Sequence, residues 1–327
     1  MKVLVTGGTG YLGRTIVRAL VVHGHEPVVF ARSAEKSALP GRAINGDVRD
    51  RDAIRRAAAG CDAICHTAAL VSVWRPRRAD FDEINVGGLG NVLAVAAELR
   101  IARVVYTSSF LALPPAGANQ PLEANDYQRT KVLAERRARE AAEHGAPIVC
   151  VYPGVIYGPG ARTDGNLLGG MFADHLAHRL PGIIGADRTW SYSFVEDVAE
   201  GHVAALERGL AGARYCLGGE NAPQVRAFEV LRDQTGRRLP RRIPHALAMA
   251  IAGVEQARAA VFRKPPLLTP GTVKILESNW PLDSGPATRD LGYQSRPLVA
   301  GLTATIAALT SGSGSVKSVS VSDQRRS

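Results

Sequence analysis

Three side chains near the middle of the sequence have the types and spacing needed to transfer a proton to a bound oxygen. Tyr127 and Lys131 are four residues apart, so on a helix they share one face. A free tyrosine loses its proton near pH 10, and a neighbouring ammonium group lowers that pKa by favouring the phenolate. Lowering it by about three units requires about 4 kcal/mol of differential interaction. Ser109, at the end of an apolar run, can donate a hydrogen bond to a substrate oxygen. The pattern predicts acid–base chemistry, with a plain amphipathic helix as the alternative.

The first residues of the chain predict a site for a dinucleotide. The apolar run Lys2–Val5 leads into a glycine-rich loop, and Arg14–Val22 has helical spacing. Between a strand and a helix, Gly7 allows a tight turn, Gly10 lets the backbone approach a pyrophosphate, and Gly13 allows close packing. The pyrophosphate then lies at the helix N-terminus. The alternative is a purely structural turn. We predict cofactor contacts at Thr6, Gly7, Thr9, Gly10, Tyr11, Leu12 and Gly13.

The end of the second predicted strand indicates which dinucleotide binds. Pro27–Ala31 is predicted as this strand, and positions 30–33 contain no Asp or Glu. An acidic residue there suits the free 2′-hydroxyl of NAD, whereas an arginine accommodates the 2′-phosphate of NADP. Arg32 offers a planar fork suited to phosphate. We therefore predict NADP (NADPH) in preference to NAD, with a solvated surface arginine as the alternative.

Later strand ends add further cofactor candidates. Asp47 and Val48 follow a strand at 43–44, where adenine can be held with the carboxylate as acceptor. Small residues follow the strand predicted at 62–66 and let the cofactor backbone pass closely. These small residues are Thr67, Ala68 and Ala69.

Regular alternation of strands and helices up to residue 152 predicts a doubly wound parallel sheet. Irregular structure is expected at 153–160, and the alternation breaks there. We predict an α/β fold: a Rossmann-type doubly wound parallel sheet with a smaller mixed α/β C-terminal lobe for substrate. The predicted division is a dinucleotide-binding domain at 1–154 with return segments near 190–216, a substrate-binding lobe at 155–189 and 217–311, and a disordered tail at 312–327. The helices predicted from the pattern are 51–59, 80–99, 126–143, 167–180, 195–208, 225–235, 244–262, 271–278 and 297–310.

Composition narrows the class of protein. Hydrophobic residues make up 46% of 327 residues, but no run of eighteen apolar residues exists, so no membrane span is expected. Four scattered cysteines fit no zinc spacing and favour a reduced, cytoplasmic protein without metal. His175 and His178 have no third ligand beside them. The net charge of +10 makes nucleic-acid binding a candidate function. The arginines are dispersed, however, and no aromatic residues are interleaved with them. We therefore expect neither a nucleic-acid nor a membrane partner.

Together these motifs resemble the extended short-chain dehydrogenase/reductases, the NAD-dependent epimerase/dehydratase superfamily. Within it, 126–131 followed by Leu133-Ala134-Glu135 is similar to the dihydroflavonol 4-reductase and 3β-hydroxysteroid dehydrogenase branch. The matching segments are 6–13, 47–48, 66–69, 85–88, 106–109, 127–131, 152–160, 194–199 and several residues of 283–293.

The resemblance implies a role for each site residue. Tyr127 is expected to donate a proton to a carbonyl oxygen, or to act as base in the reverse direction. Lys131 is expected to hold the nicotinamide ribose and tune Tyr127, and Ser109 to polarise the carbonyl. The resemblance also implies cofactor contacts at Asn85, Thr107, Pro153 and Val155.

Two departures from the family pattern bear on the substrate. Members that act on nucleotide sugars usually carry an arginine where this chain has Trp190, which with Tyr192 suits an apolar ligand; Arg162 or Arg188 remains available for a phosphate. Ser109 and Tyr127 are only 18 residues apart, so the loop over the site is short.

These features predict an NADP-dependent oxidoreductase that reduces a carbonyl, or oxidises the alcohol, of an apolar small molecule. The alternatives are a nucleotide-sugar epimerase or dehydratase, and a non-catalytic NADP-binding or RNA-associated protein. A homodimer through helices 80–99 and 126–143 is a further expectation from the resemblance.

Overall fold

The computed structural model describes residues 1–160, 163 and 165–311. The predicted tail at 312–327 and Arg162 lie outside these residues. The strands are β1 (Lys2–Thr6), β2 (Glu26–Ala31), β3 (Arg42–Asn45), β4 (Ala63–His66), β5 (Arg103–Thr107), β6 (Ile148–Pro153), β7 (Val155–Tyr157), β8 (Thr189–Phe194), β9 (Arg214–Leu217) and β10 (Asn221–Pro223). The helices are α1 (Tyr11–Val22), α2 (Arg51–Ala58), α3 (Ala79–Phe81), α4 (Gly88–Glu98), α5 (Asp126–Glu143), α6 (Leu167–Leu176), α7 (Val195–Arg208), α8 (Gln224–Thr235), α9 (His245–Phe262), α10 (Pro270–Leu276), α11 (Gly285–Leu291) and α12 (Leu298–Ser311).

Seven parallel strands form the main sheet in the order β3-β2-β1-β4-β5-β6-β9. The register pairs Thr6 with His66 and His66 with Tyr106, so the carboxyl ends of β1, β4 and β5 are level. In open sheets of this kind ligands bind outside those ends. The predicted α/β class with a doubly wound parallel sheet is confirmed.

Aliphatic side chains fill both faces of this sheet. Helices α1 and α7 cover one face around Val3, Val5 and Val198, and α2, α4 and α5 cover the other around Leu4 and Val104. Parallel strands buried on two faces need continuous apolar runs rather than alternation. This is why the strands were recognisable in the sequence.

A second, three-stranded sheet in the order β10-β8-β7 forms the core of the smaller lobe. Gly154 alone separates β6 from β7, and its amide donates to Ser193 Oγ at 3.0 Å. The lobe core is rich in aromatic rings, which include Phe110, Tyr157, Phe172, Trp190, Tyr192, Phe194, Phe228 and Trp280.

Several boundaries differ from the sequence prediction. Val155–Tyr157 is a strand where irregular structure was expected, and β10 and α11 were not predicted. Of the predicted return segments, β9 joins the main sheet whereas Thr189–Phe194 lies in the small one. Helix α6 ends at Leu176 rather than at 180.

The helix predicted at 80–99 contains a π-helical turn over Asp82–Gly87. Directly after this turn, the backbone of Gly88 passes close to the Val48 side chain. A Cβ on Gly88 would lie 2.9 Å from a Val48 methyl group. Among the described residues no helix is long and apolar enough to cross a bilayer.

Candidate active site

Hydrogen bonds at the start of α5 place Tyr127 near Ser109. The Asn125 side chain caps the helix by accepting from Gln128 N at 2.8 Å. The Gln128 side chain in turn donates to Leu111 O at 3.1 Å and accepts from Ala124 N at 2.8 Å. Ser109 Oγ accepts from Leu111 N at 3.2 Å. A single buried glutamine therefore ties the short loop to the helix.

The Tyr127 hydroxyl lies near the Ser109 side chain. Burial raises the pKa of Tyr127 to about 12, and the hydrogen bond with Ser109 opposes that rise. The spacing predicted that Lys131 lowers this pKa, but in the structure burial raises it, because loss of water disfavours the charged phenolate. The phenol therefore keeps its proton at neutral pH, which is the form required of a proton donor.

Lys131 lies one turn further along α5 and is 3% exposed. Its Nζ donates to Thr107 O at 2.9 Å and lies 5.3 Å from the centroid of the Tyr106 ring. Burial lowers the pKa of Lys131 to about 7. The ammonium group is thus easily deprotonated, and Thr107 O accepts only one of its three N–H bonds.

His202 supports Thr107 from the opposite side of the sheet. Its Nδ1 lies 2.7 Å from Val198 O, and since a carbonyl only accepts, Nδ1 carries the proton. Nε2 then accepts from Thr107 Oγ1 at 2.8 Å. Burial lowers the pKa of His202 to about 4, so the ring is neutral. Sequence reasoning missed this residue, because no local pattern links α7 to a strand 95 positions earlier.

His66 is the last residue of β4, and its ring lies on the face of the sheet covered by α5, opposite to His202. Its Nδ1 lies 2.7 Å from Thr6 Oγ1, and its ring stacks on Tyr106 with centroids 5.8 Å apart. Burial, together with the charge of Lys131, lowers the pKa of His66 to about 3. Two neutral histidines therefore flank the carboxyl ends of β4 and β5, one on each face of the sheet.

The glycine loop has the shape and donors that a pyrophosphate needs. Gly7 has φ of +71°, and a Cβ there would lie 2.7 Å from the Ala68 backbone. Gly10 N donates to Gly7 O at 2.9 Å, and Gly10 precedes α1 without a side-chain cap. The first turn of α1 contains no acidic residue. Free N–H groups and an open cradle fit an anion.

Other predicted cofactor residues lie along the same edge. Arg49 holds the Asp47 carboxylate at 2.7 Å and lowers its pKa, and the charge of the exposed Arg32 acts in the same direction. Asn85 accepts from Leu70 N at 2.7 Å and donates to Thr130 Oγ1 at 2.9 Å, so its side chain fixes the segment after β4 to α5. Direct cofactor contact by these side chains stays a prediction.

A small, mainly apolar cleft with a free volume of about 10 Å³ lies beside the start of β7. Trp190, at the position where the nucleotide-sugar pattern has arginine, is buried and donates from Nε1 to Ser278 O at 3.1 Å. Its only donor is thus occupied by the protein. The cleft is lined by Val155, Leu167, Leu168, Met171, Trp190, Tyr192, Gln224 and Phe228.

Comparison with known proteins identifies the family. Residues 3–218 match the model of the NAD dependent epimerase/dehydratase family, so the chain belongs to this family. The expected resemblance is confirmed, and the protein is an oxidoreductase of the short-chain dehydrogenase/reductase type.

Three relatives span most of this chain. Sterol demethylase protein B of Methylococcus capsulatus is 32% identical over 310 residues, 89% of this chain and 93% of that protein. A putative dihydroflavonol 4-reductase of Synechocystis is 31% identical over 307 residues, 88% of each chain. A 3 beta-hydroxysteroid dehydrogenase/Delta 5-->4-isomerase of Mycobacterium tuberculosis is 29% identical over 324 residues, 90% of this chain and 86% of that protein.

Solved structures share the fold. The crystal structure of gox2253 has a TM-score of 0.79 at 28% identity and covers 94% of this chain and 98% of that one. UDP-glucuronic acid 4-epimerase of Bacillus cereus, in complex with UDP-glucuronic acid and NAD, has a TM-score of 0.76 at 19% identity, covering 95% and 99%. The second similarity concerns the fold alone.

Proposed function

We propose that the protein is an NADP-dependent reductase of a carbonyl on an apolar small molecule, and that it oxidises the corresponding alcohol in reverse. The link between the start of α5 and the segment after β5 carries this proposal: Gln128, next to Tyr127, donates to Leu111 O, and Leu111 N donates to Ser109 Oγ. Ser109 comes two residues after the carboxyl end of β5, and Tyr127 lies in the first turn of α5. The cofactor is expected at this edge of the sheet. Relatives named for flavonoid and steroid substrates support a ligand of this kind.

Each site residue has a defined task in this reaction. Ser109 Oγ–H donates a hydrogen bond to the substrate oxygen, and Tyr127 Oη–H delivers the proton as that oxygen gains charge. Lys131, fixed by Thr107 O, places its remaining N–H groups toward the ribose and the phenol. When bound, the dinucleotide supplies the hydride. Pro153 and Val155, at the junction of β6 and β7, border its nicotinamide.

Activity measurements with Tyr127→Phe test the catalytic assignment. NADPH oxidation is measured against flavonoid, steroid and cinnamoyl ketones and aldehydes. We expect Tyr127→Phe to lower kcat by about 100-fold to 10,000-fold. Tyr293→Phe is the matched control, because its buried hydroxyl has no hydrogen-bond partner among the described residues. Equal loss in both variants, or undiminished turnover in Tyr127→Phe, contradicts the assignment.

The preference for NADP is proposed from Arg32. Replacing it with Asp removes a charged partner of the 2′-phosphate, a loss of about 1.5–3 kcal/mol or about tenfold to 100-fold in NADPH affinity. Arg18→Asp is the control, since Arg18 is an exposed arginine on α1. Unchanged discrimination between NADPH and NADH in Arg32→Asp refutes the role.

An epimerase of nucleotide sugars is the alternative within the family. The buried Trp190 argues against it, because an indole in that position offers a diphosphate no charge. An epimerase usually keeps its cofactor tightly bound. Release of NAD from the purified, denatured protein, together with no turnover on any carbonyl, favours the epimerase.

Assembly, location and domain division complete the proposal. We propose a cytoplasmic homodimer that pairs through α4 and α5, with the dinucleotide at 1–154 and the substrate at 155–189 and 217–311. Light scattering gives the mass of the assembly. A monomeric mass at working concentration contradicts the dimer.

A further inference from the structure

Helix α9 buries only alanines against the protein, although His245 also bonds to Glu277. Its buried residues are Ala248, Ala252 and Ala259, and it contacts mainly α10 and the small apolar cluster around Val273. Its large apolar side chains point away from this contact. They form, with one residue of the following segment, what we call the α9 surface: Leu247, Ile251, Val254, Val261, Phe262 and Leu267.

Four residues of the α9 surface lie along one side of the helix. Leu247, Ile251, Val254 and Val261 follow the helical spacing of four, three and seven residues, and this side is turned away from the buried alanines. Arg258 lies on the same side, between Val254 and Val261. Val254 is 69% exposed, Val261 74% and Leu267, just beyond the helix, 86%. Contiguous exposed apolar patches mark interaction sites, whereas single exposed residues need no explanation.

Basic side chains flank both ends of this stripe. Arg241 and Arg242 precede the helix, and Arg263 and Lys264 follow it. Arg242 pairs with Asp187, while the other three form no ion pair within the described part of the chain. The whole chain carries a net charge of +10, which the proposed reaction does not require.

Acidic groups on and beside α9 already have partners within the protein. Glu255 pairs with Arg258 at 2.7 Å on the same helix. Glu277 of the neighbouring segment pairs with His245 at 2.5 Å. The stripe therefore carries one internal ion pair near its middle and, among the described residues, unpaired basic side chains at both ends.

This charge pattern distinguishes between two possible partners of the α9 surface, a second copy of the protein and an anionic surface. Two copies of α9 packed face to face place like charges together in either orientation. A parallel pair brings Arg263 against Arg263, and an antiparallel pair brings Arg263 against Arg241. Like-charge contacts of this kind disfavour a symmetric dimer. An anionic surface instead complements both ends at once.

We propose that the α9 surface binds the surface of an anionic lipid bilayer. The helix lies in the interface, with its apolar stripe among the acyl chains and its basic ends against the headgroups. This is peripheral binding and needs no spanning helix. It replaces the expectation of no membrane partner, which rested on the absence of a long apolar run. The proposal is independent of the reaction, because no α9 residue belongs to the active site.

Vesicle co-sedimentation tests this proposal. The full-length protein is mixed with phosphatidylcholine vesicles that contain or lack phosphatidylglycerol, at low and at high salt. We expect binding only to the anionic vesicles, weakened by salt. Each basic residue at the surface strengthens binding about fivefold, so Arg263→Glu with Lys264→Glu should reduce it by more than about 25-fold.

Two exposed valines provide the matched comparison. Val254→Glu with Val261→Glu should abolish binding, whereas Val22→Glu, at an 81% exposed position on α1, should not. Circular dichroism and NADPH binding confirm that each variant folds. Equal binding to neutral vesicles, or unchanged binding of the α9 double variant, overturns the proposal. So does a dimer in light scattering that Val254→Glu with Val261→Glu converts to a monomer, because the occupant is then a second copy.

Discussion

The cores of the two lobes differ in their side chains. Valine, alanine, leucine and isoleucine fill both faces of the seven-stranded sheet. Aromatic rings dominate the smaller lobe, where Phe110 lies 5.5 Å from Trp280 and 6.1 Å from Trp190, centroid to centroid. Phe110 directly follows Ser109, so the aromatic core of one lobe reaches a candidate catalytic residue of the other.

This difference separates two ways of building a site. In the proposed function, the larger lobe offers the dinucleotide the backbone groups of its glycine loop and also supplies the catalytic side chains. The smaller lobe offers the substrate mainly apolar side chains. Changes in the glycine loop should therefore act on cofactor binding, and changes in the smaller lobe on substrate binding, unless Phe110 couples the two lobes.

Trp280→Ala tests that coupling with the largest expected effect. Trp280 is buried and donates from Nε1 to Ile275 O at 3.0 Å, so truncation should lower the free energy of unfolding by about 3–5 kcal/mol. Denaturant titration measures the loss. If the lobes act separately, the affinity for NADPH stays unchanged while KM for the carbonyl rises. A comparable loss of NADPH affinity breaks the distinction between the lobes.

Acid titration tests the polar support beneath the main sheet. The pKa of His202 is about 4 in the folded protein, against 6.5 when unfolded. The unfolded chain therefore binds the extra proton first, and stability present above pH 6.5 is lost as the pH falls toward 4. That shift corresponds to about 3 kcal/mol.

The His202→Gln variant isolates this contribution from that of other titrating groups. The gap in unfolding free energy between wild type and variant should narrow by about 3 kcal/mol between pH 7 and pH 4. Urea unfolding at a series of pH values gives the gap. A gap that is constant over this range shows that His202 is not held neutral by the fold.

Gly7→Ala tests the backbone cradle with a smaller effect on stability. Gly7 and Gly60 both have positive φ, but only at Gly7 would a Cβ collide with another strand end, at the Ala68 backbone. Gly60→Ala is thus the control for strain alone. We expect Gly7→Ala to cost about 1–3 kcal/mol more than the control, as overpacking does. Calorimetry of NADPH binding should show weakened affinity only for Gly7→Ala, and equal affinity in both variants contradicts the cradle.

Most of the fold could be predicted from local sequence patterns. The βα alternation and the fingerprint at Gly7–Gly13 depend on neighbouring residues, and the sequence alone was sufficient for them. Short elements such as Val155–Tyr157 and Asn221–Pro223 could not be predicted, since pairing with β8 decides their structure. The site divides in the same way. The spacing of Tyr127 and Lys131 predicts that they share a helix face. The role of His202 could not be predicted, because it depends on the packing of α7 against β5.

The place of β9 in the main sheet has a consequence for synthesis. Strand β9, residues 214–217, forms the outer edge beside β6, yet β7, β8 and α7 all precede it in the chain. A nascent chain that has emerged only to residue 154 therefore exposes the unpaired edge of β6. That edge stays open to pairing with other chains until more than sixty further residues have left the ribosome. The main sheet is thus complete only after β9 has been synthesised, and nascent-chain fragments ending before residue 214 should aggregate or recruit chaperones.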